Sequence, residues 1–460
     1  MGNLGFIVAT ITSIIFWAIF LLMSFRILQE GGLFSSIEIS HPPAGRAGKF
    51  SKFSAFFTFV TKPEFKVFIF GLAVRFFMWT VAYIALMQNS DESISIVNLF
   101  DQLVRSDSRH YLNIATVGYG WEENEQNLLL VFFPLYPYIV RLFSLVIPNV
   151  QTAAFLVSFL AFSFGLPLLY RLVKLDFGDS VAWWTVAFIS FAPPAFFFGI
   201  PMTESLMLLT SVACLYFIRT HKWLLVGITG ALTILTRMVG ITLLVVALVE
   251  IITHYKIFDL IRNKNWKNFS EILLKKVSLV FTMLIGAGIY LAINWYISGN
   301  PLQFLDYQRN HWSQQAQYFG TTISAQFTHL YNFNDNFALV TFVGNLAAFF
   351  IALWAIFYAT TVKIPKNSEK LEEKAETAEV AEPQKIPAMY IAYALGYTFV
   401  SFSPTWLLSG IRYMLVAVPI FIFLGIFADR KPIAGIIMFV VSASGLIWLL
   451  NRFMLGWSIW

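Results

Sequence analysis

The chain has 460 residues, of which 58% are hydrophobic, 18% aromatic and only 12% charged. Soluble domains carry about 25% charged residues, so this composition excludes a water-soluble fold, a disordered chain and, with Cys214 as the sole cysteine, an internal disulfide scaffold. The net charge of +6 lies in short clusters between apolar runs rather than along one face, which argues for membrane topology over nucleic-acid binding.

A membrane span needs about 20 apolar residues. Runs of that kind fall near 4–25, 67–88, 151–170, 181–200, 203–218, 223–237, 239–253, 277–297, 336–361, 387–403, 413–428 and 433–450. The expected fold class is therefore an all-α polytopic membrane bundle of about 11–13 helices. The first run has no Lys or Arg before it and is long and uniform, so it reads as a retained span. The runs 223–237 and 413–428 are short and suggest broken or tilted helices.

Lys and Arg collect around 26–66, 171–174, 219–222, 256–276, 363–366 and 430–431, which marks those segments as cytoplasmic. The other side then carries 89–150, the Pro201 to Glu204 turn, 298–335 and 404–412. Leu128 to Ile147 is apolar enough to span, but a crossing there would put the 256–276 basic run outside. Its Pro134, Pro137 and Arg141 suit an interfacial helix, with Phe132, Phe133, Tyr136 and Tyr138 at headgroup depth. Residues 362–386, rich in Lys, Glu and Ala without apolar periodicity, read as a disordered cytoplasmic loop.

The stretch SDSRHYLNIATVGYG, Ser106 to Gly120, gathers Asp107, Arg109, His110 and Tyr111 at the exterior surface. On a helix, Asp107, His110 and Tyr111 share one face; a hydrated loop with inert charges is the alternative. Glu122, Glu123 and Glu125 lack the fixed spacing to a His or Asp that a metal site needs and fit a solvated loop. Glu204, Arg237, Glu250 and Arg412 are ionisable residues within or against apolar segments, where such groups mark a functional site or a buried pair. Glu204, Arg237 and Arg412 fall at outer ends, with Asp107; headgroup anchoring is the alternative for the arginines. Glu250 falls near an inner end, as a snorkelling or structural acid. Gln308, His311 and Trp312 in the 298–335 loop carry a weaker signal. No Walker loop, Gly-x-Gly-x-x-Gly, His-Glu-x-x-His or Gly-x-Ser-x-Gly motif is present.

SDSRHYLNIATVGY, an acidic spacer and FFPLYPYIVRLFS together resemble the first exterior loop of the GPI mannosyltransferase II (PIG-V-like) family and its prokaryotic relatives, of the GT-C class of polytopic glycosyltransferases. PMTESLMLL, LTRMVGITLL, GNPLQFLDYQRNHW and SGIRYMLVAVPIFIFLG follow in that family's order. The chain departs from the family at Ser106, where Trp usually precedes the acid. Residues 1–65, a helix and cytoplasmic linker, look extra to a family core over 66–460.

The resemblance implies a GT-C-like bundle, a polyprenyl-phosphate-linked hexose donor, mannose being the usual sugar, and a glycan, glycolipid or protein acceptor on the exterior or lumenal face. It implies Asp107 as the catalytic base, with Arg237, Arg412 and Tyr413 at the donor phosphate. Arg109, His110, Tyr111, Glu122, Glu204, Gln308 and Trp312 would complete the substrate set. No cofactor is required, and a divalent metal is left open. Membrane lipids are partners and nucleic acid is not; a prokaryotic plasma membrane is preferred to the endoplasmic reticulum. A polyprenyl-lipid transporter or flippase is the competing reading, although transporter sites lie near the midplane rather than at one face. A non-catalytic subunit, or an enzyme transferring a whole oligosaccharide to protein, would also share the composition.

Overall fold

The structure, a computed structural model, describes residues 2–33, 62–88, 95–119, 128–333, 339–364, 384–457 and 459. It is helical throughout, apart from one two-stranded antiparallel ribbon, β1 (Lys363–Ile364) with β2 (Gln384–Lys385). Among the described residues six helices are long and apolar enough to cross a membrane: Leu4–Glu30, Pro63–Gln88, Val150–Phe177, Trp266–Ser298, Val340–Thr361 and Pro432–Met454. Three more apolar helices, Trp223–Thr236, Met238–His254 and Ala388–Ser401, are shorter. The protein is a multi-pass, all-α membrane protein, as its composition requires.

In chain order, α1 (Gly2–Glu30) and α2 (Pro63–Gln88) precede two short helices, α3 (Ile96–Leu103) and α4 (Asp107–Val117). A 3₁₀ turn at Leu128–Val131 leads to α5 (Leu135–Ser144). Helix α6 (Val150–Phe177) begins where Asn149 accepts the Thr152 N–H and ends at Gly178, whose φ of 86° a side chain would resist. Then come α7 (Asp179–Ser190), α8 (Glu204–Arg219), α9 (Trp223–Thr236) and α10 (Thr242–His254). Later elements include α11 (Leu284–Ser298), α12 (Gln303–Trp312), α13 (Phe319–Phe333), α14 (Gly344–Thr361), α15 (Ala388–Ser401), α16 (Gly410–Met414), α17 (Val418–Arg430) and α18 (Pro432–Met454).

Two sequence expectations are revised. The run at 181–200 is not one span, because Pro193, Pro194 and Pro201 cannot donate backbone N–H bonds. Helix α7 stops at Ser190, and a buried 3₁₀ turn, Ala195–Gly199, carries the chain to α8. Irregular backbone at membrane depth is tolerated only when enclosed by protein. Here Arg75 of α2, fully buried, donates to Ala195 O at 2.8 Å and Ser190 O at 3.4 Å, while Trp79 donates to Gly199 O at 3.1 Å.

Second, the segment Leu128 to Ile147 does form a short helix, α5, but three of its four rings face protein rather than headgroups. Phe132, Phe133 and Tyr136 are buried, with the Tyr136 hydroxyl donating to Ala154 O at 3.0 Å, and Tyr138 alone of the four is exposed. A buried tyrosine needs such a partner for its hydroxyl. Helix α1 packs on the rest of the bundle. Phe16 lies 4.8 Å from the Phe319 ring and 6.1 Å from Phe399, and Trp17 donates to the Tyr318 hydroxyl at 3.0 Å. All of the linker 34–61, and residues 365–383 of the loop 362–386, lie outside the described residues.

Polar contacts between helices gather at two opposite ends of the bundle. At one end Asp107, Glu204, Arg237 and Arg412 meet; at the other, Asp176, Arg219, His221, Glu250 and Tyr390. Helix α8 begins at Glu204 and finishes at Arg219, so it runs from the first cluster to the second.

Candidate functional site

Asp107 is the first residue of α4 and is presented by a strained neighbour. Ser106, at its N-cap, has φ 53°, a left-handed value uncommon for a residue with a Cβ. The helix is held from behind by Arg141 of α5, which donates to Ala115 O and Thr116 O, both at 2.8 Å, and so satisfies carbonyls in the last turn of α4. Tyr111 sits one turn along from Asp107, buried between Phe132 and Tyr136 at ring distances of 5.3 and 5.5 Å.

Glu204 opens α8, where the helix dipole favours an acid. Arg237 follows α9 with an extended backbone, φ −157° and ψ 141°, before a 3₁₀ turn. Gly240 makes this reversal possible, since a Cβ there would come within 2.8 Å of the Thr233 backbone. The Thr-Arg-x-x-Gly spacing thus has a steric origin. Arg412 and Tyr413 come from the short helix α16.

These residues form one chain of charges. Arg412 donates from Nη2 to Asp107 Oδ2 at 2.6 Å, and its Nε lies 3.2 Å from Glu204 Oε1. Arg237 Nη1 donates to the same Glu204 oxygen at 2.9 Å. The Arg237 guanidinium also stacks over the Tyr413 ring at 4.7 Å, a cation–π contact. Two acids and two arginines therefore balance.

The two arginines occupy different posts. Arg412 is 5% exposed, wedged between carboxylates and above Phe197 at 5.5 Å. Arg237, with a side chain 17% exposed, binds protein through Nη1 alone among the described residues, so its remaining N–H groups are available to a ligand. Asp107, 25% exposed, has only Oδ2 engaged; Oδ1 has no hydrogen-bond partner among the described residues. Buried polar atoms with no hydrogen-bond partner among the described residues also cluster here: Ser106 Oγ, Ser108 Oγ, Glu204 Oε2 and Arg412 Nε, the last in ion-pair contact only. Buried polar groups are nearly always satisfied, and such a concentration marks a place where solvent or substrate groups belong.

Around this centre, His110 lies flat on Phe132 at 4.8 Å and Trp312 of α12 meets the same ring edge-on at 6.3 Å. Partial burial holds the His110 imidazole below its ordinary pKa, with the Asp107 charge opposing. Arg109 is exposed, and its side chain has no hydrogen-bond or ion-pair partner among the described residues. Gln308, half-buried, accepts the Gln314 backbone N–H through its own carbonyl. Glu122 lies outside the described residues. Five expected residues thus meet directly, Asp107, Glu204, Arg237, Arg412 and Tyr413, while Tyr111, His110 and Trp312 gather on the Phe132 ring. Sequence reasoning missed Arg75 and Tyr397. Tyr397, whose hydroxyl donates to Tyr413 O at 3.0 Å, supports the second arginine helix; it is one of three tyrosines in its apolar run, and nothing in the sequence singles it out.

Residues 133–294 match the family model described as dolichyl-phosphate-mannose-protein mannosyltransferase. This stretch includes Glu204 and Arg237 but neither Asp107 nor Arg412. Solved structures similar to the chain include ArnT from Cupriavidus metallidurans bound to undecaprenyl phosphate, at a TM-score of 0.44 and 15% identity, covering 79% of this chain and 60% of that one. Another is the archaeal oligosaccharyltransferase AglB from Archaeoglobus fulgidus in complex with an inhibitory peptide and a dolichol-phosphate, at 0.43 and 12%, covering 88% and 56%. The chain therefore spans 60% or less of the length of these structures. Curated protein sequences give no match.

Proposed function

We propose that the protein is an integral-membrane, inverting glycosyltransferase of the GT-C type. It moves a hexose, mannose first among the candidates, from a polyprenyl-phosphate carrier to an acceptor hydroxyl at the exterior or lumenal face. The match of residues 133–294 to a dolichyl-phosphate-mannose-dependent family supports the donor class. The observation that carries the reading is the partly exposed Asp107 carboxylate, with one oxygen clamped by Arg412 at 2.6 Å and the other without a hydrogen-bond partner among the described residues.

In this mechanism the open Asp107 oxygen takes the proton of the acceptor hydroxyl as that oxygen bonds to the anomeric carbon. The bond from the anomeric carbon to the phosphate oxygen breaks on the opposite face, so configuration inverts and polyprenyl phosphate leaves with the bonding electrons. The negative charge growing on the phosphate needs fixed donors in a site of low dielectric. Arg237, with N–H groups to spare, meets it, and Arg412 holds Asp107 and Glu204 in position. Tyr413 backs Arg237, and His110 and Trp312, packed on the buried Phe132 ring, offer a surface for a sugar ring.

The test uses the purified protein in lipid nanodiscs with short-chain polyprenyl-phosphate hexoses and a membrane extract as acceptor source. Transfer from one donor, reduced about 10²–10⁴-fold in Asp107→Asn, is the expected result and names the sugar. Intact donors in the presence of tight polyprenyl-phosphate binding would overturn catalysis in favour of lipid carriage. Full activity in Asp107→Asn would remove the base assignment alone.

A further inference from the structure

The cluster at the opposite end of α8 takes no part in this chemistry. Helix α8 ends at Arg219, and the turn into α9 contains His221, whose φ of 56° is again in the left-handed region. Its Nε2 lies 2.9 Å from Glu250 Oε1 on the last turns of α10, and its ring lies 3.7 Å from that of His254, the final residue of the same helix. One ligand atom from each of His221, Glu250 and His254 falls within 4.8 Å of the others. Glu250 and His254 are four apart on one helix face, where their side chains converge.

Charge accounting distinguishes this group from an ordinary ion-pair network. Arg219 is committed to Asp176, with Nε 2.9 Å and Nη2 2.8 Å from its carboxylate oxygens, and Tyr390 donates to Asp176 at 2.8 Å. Its contact with Glu250 is the long one, 3.4 Å. One arginine thus faces two carboxylates, and Glu250, 5% exposed, retains a negative charge opposite two imidazoles. A strained residue that aims a histidine at a buried carboxylate is a costly arrangement unless something uses it.

We propose that His221, Glu250 and His254 bind a divalent transition-metal ion of the zinc class. Two imidazoles and one carboxylate are a recognised donor set for zinc, with bonds of about 2.0–2.2 Å. Tetrahedral bonds of that length put donor atoms about 3.4 Å apart, so closing the cluster needs ring rotations rather than backbone movement. His221 and His254 are partly exposed, which leaves an entry path and a fourth position for water. The ion ties the α8–α9 turn to the end of α10. The opposite ends of these three helices carry Glu204 and Arg237, so the metal braces the site from a distance without touching substrate.

The experiment takes the full chain, purified on a tag without histidines and stripped with a chelator, and titrates it with cobalt(II) and zinc(II). We expect saturation at one ion per chain, visible cobalt d–d absorption of a tetrahedral nitrogen-and-oxygen site, and zinc displacing cobalt. Zinc should raise the Tm of the native protein by several degrees through ligand linkage. His221→Gln and His254→Gln should each weaken binding at least 10-fold, and the double variant should neither bind nor gain Tm. Absence of saturable uptake by the native chain would overturn the proposal, as would undiminished uptake in the variants. If the double variant does not fold, the His254→Gln titration decides alone. None of these readouts depends on transferase activity.

Discussion

The four charges around Asp107 divide their work by burial, and this can be separated kinetically. Lysine keeps the charge of arginine but is a point donor without the planar fork. Arg412→Lys can reach Asp107 or Glu204 but not hold both at 2.6 and 3.2 Å, so kcat should fall by at least 10-fold while the donor KM stays within a few-fold. Arg237→Lys loses the N–H groups free for a phosphate, so the donor KM should rise by at least 10-fold. Steady-state kinetics on a defined donor checks both; an equal rise in KM would restore the joint phosphate clamp that the sequence suggests. Removing the Arg412 charge is a different event. Arg412→Leu leaves Asp107 and the buried Glu204 less compensated, and breaking a buried ion pair costs about 3–5 kcal/mol. The yield of folded protein, read by size-exclusion chromatography, should drop sharply in Arg412→Leu and modestly in Arg412→Lys.

The helices that carry these residues are shaped by contacts that hydropathy does not register. Apolar runs reveal where chain is buried, and α1, α2, α6, α14 and α18 were legible for that reason. Hydropathy does not say whether a run continues as helix, so 181–200 looked like a span although Pro193 and Pro194 interrupt it. Arg75 is also a charge inside an apolar run, so its presence is as visible as that of the site arginines, but its acceptors, Ser190 O and Ala195 O, lie more than a hundred residues away and its role is not readable from the sequence. The site acids and arginines were visible because charges in apolar surroundings stand out, but their pairing was not, since four separate segments supply them. Arg75→Leu should strand those carbonyls, each costing about 1–3 kcal/mol, and loosen the turn that leads to Glu204. Thermal unfolding should show a lower Tm with a parallel fall in activity, and Arg75→Lys should recover part of both. A second contact is steric: a Cβ at Gly286 would come within 2.3 Å of Ala231 O, so α9 and α11 meet backbone to backbone. Gly286→Val should therefore lower Tm more than any single exposed apolar substitution on α11, such as Ile285→Ala.

For the molecule as a whole, the alternation of apolar runs and basic clusters foretells which helix ends share a side, and the polar contacts between helices agree with it. Arg105 near α4 donates to Phe453 O at the end of α18, and Gln151 at the start of α6 donates to Asp101 of α3. All four termini belong to the Asp107 end. Tyr390 at the start of α15 meets Asp176 at the finish of α6, as two ends on one side should. What geometry leaves to experiment is which end faces out. The sole cysteine, Cys214, is buried, so the native chain should be silent to a membrane-impermeant maleimide and serve as its own background. Asn310 on α12 and Glu271 in the basic segment are both exposed and lie toward opposite ends. Clustered Lys and Arg fix the cytoplasmic side, so Asn310→Cys should label in intact right-side-out membranes and Glu271→Cys only after permeabilisation. The reverse pattern would put Asp107 on the cytoplasmic side, where soluble sugar nucleotides reach it, and would remove the reason to require a lipid-linked donor.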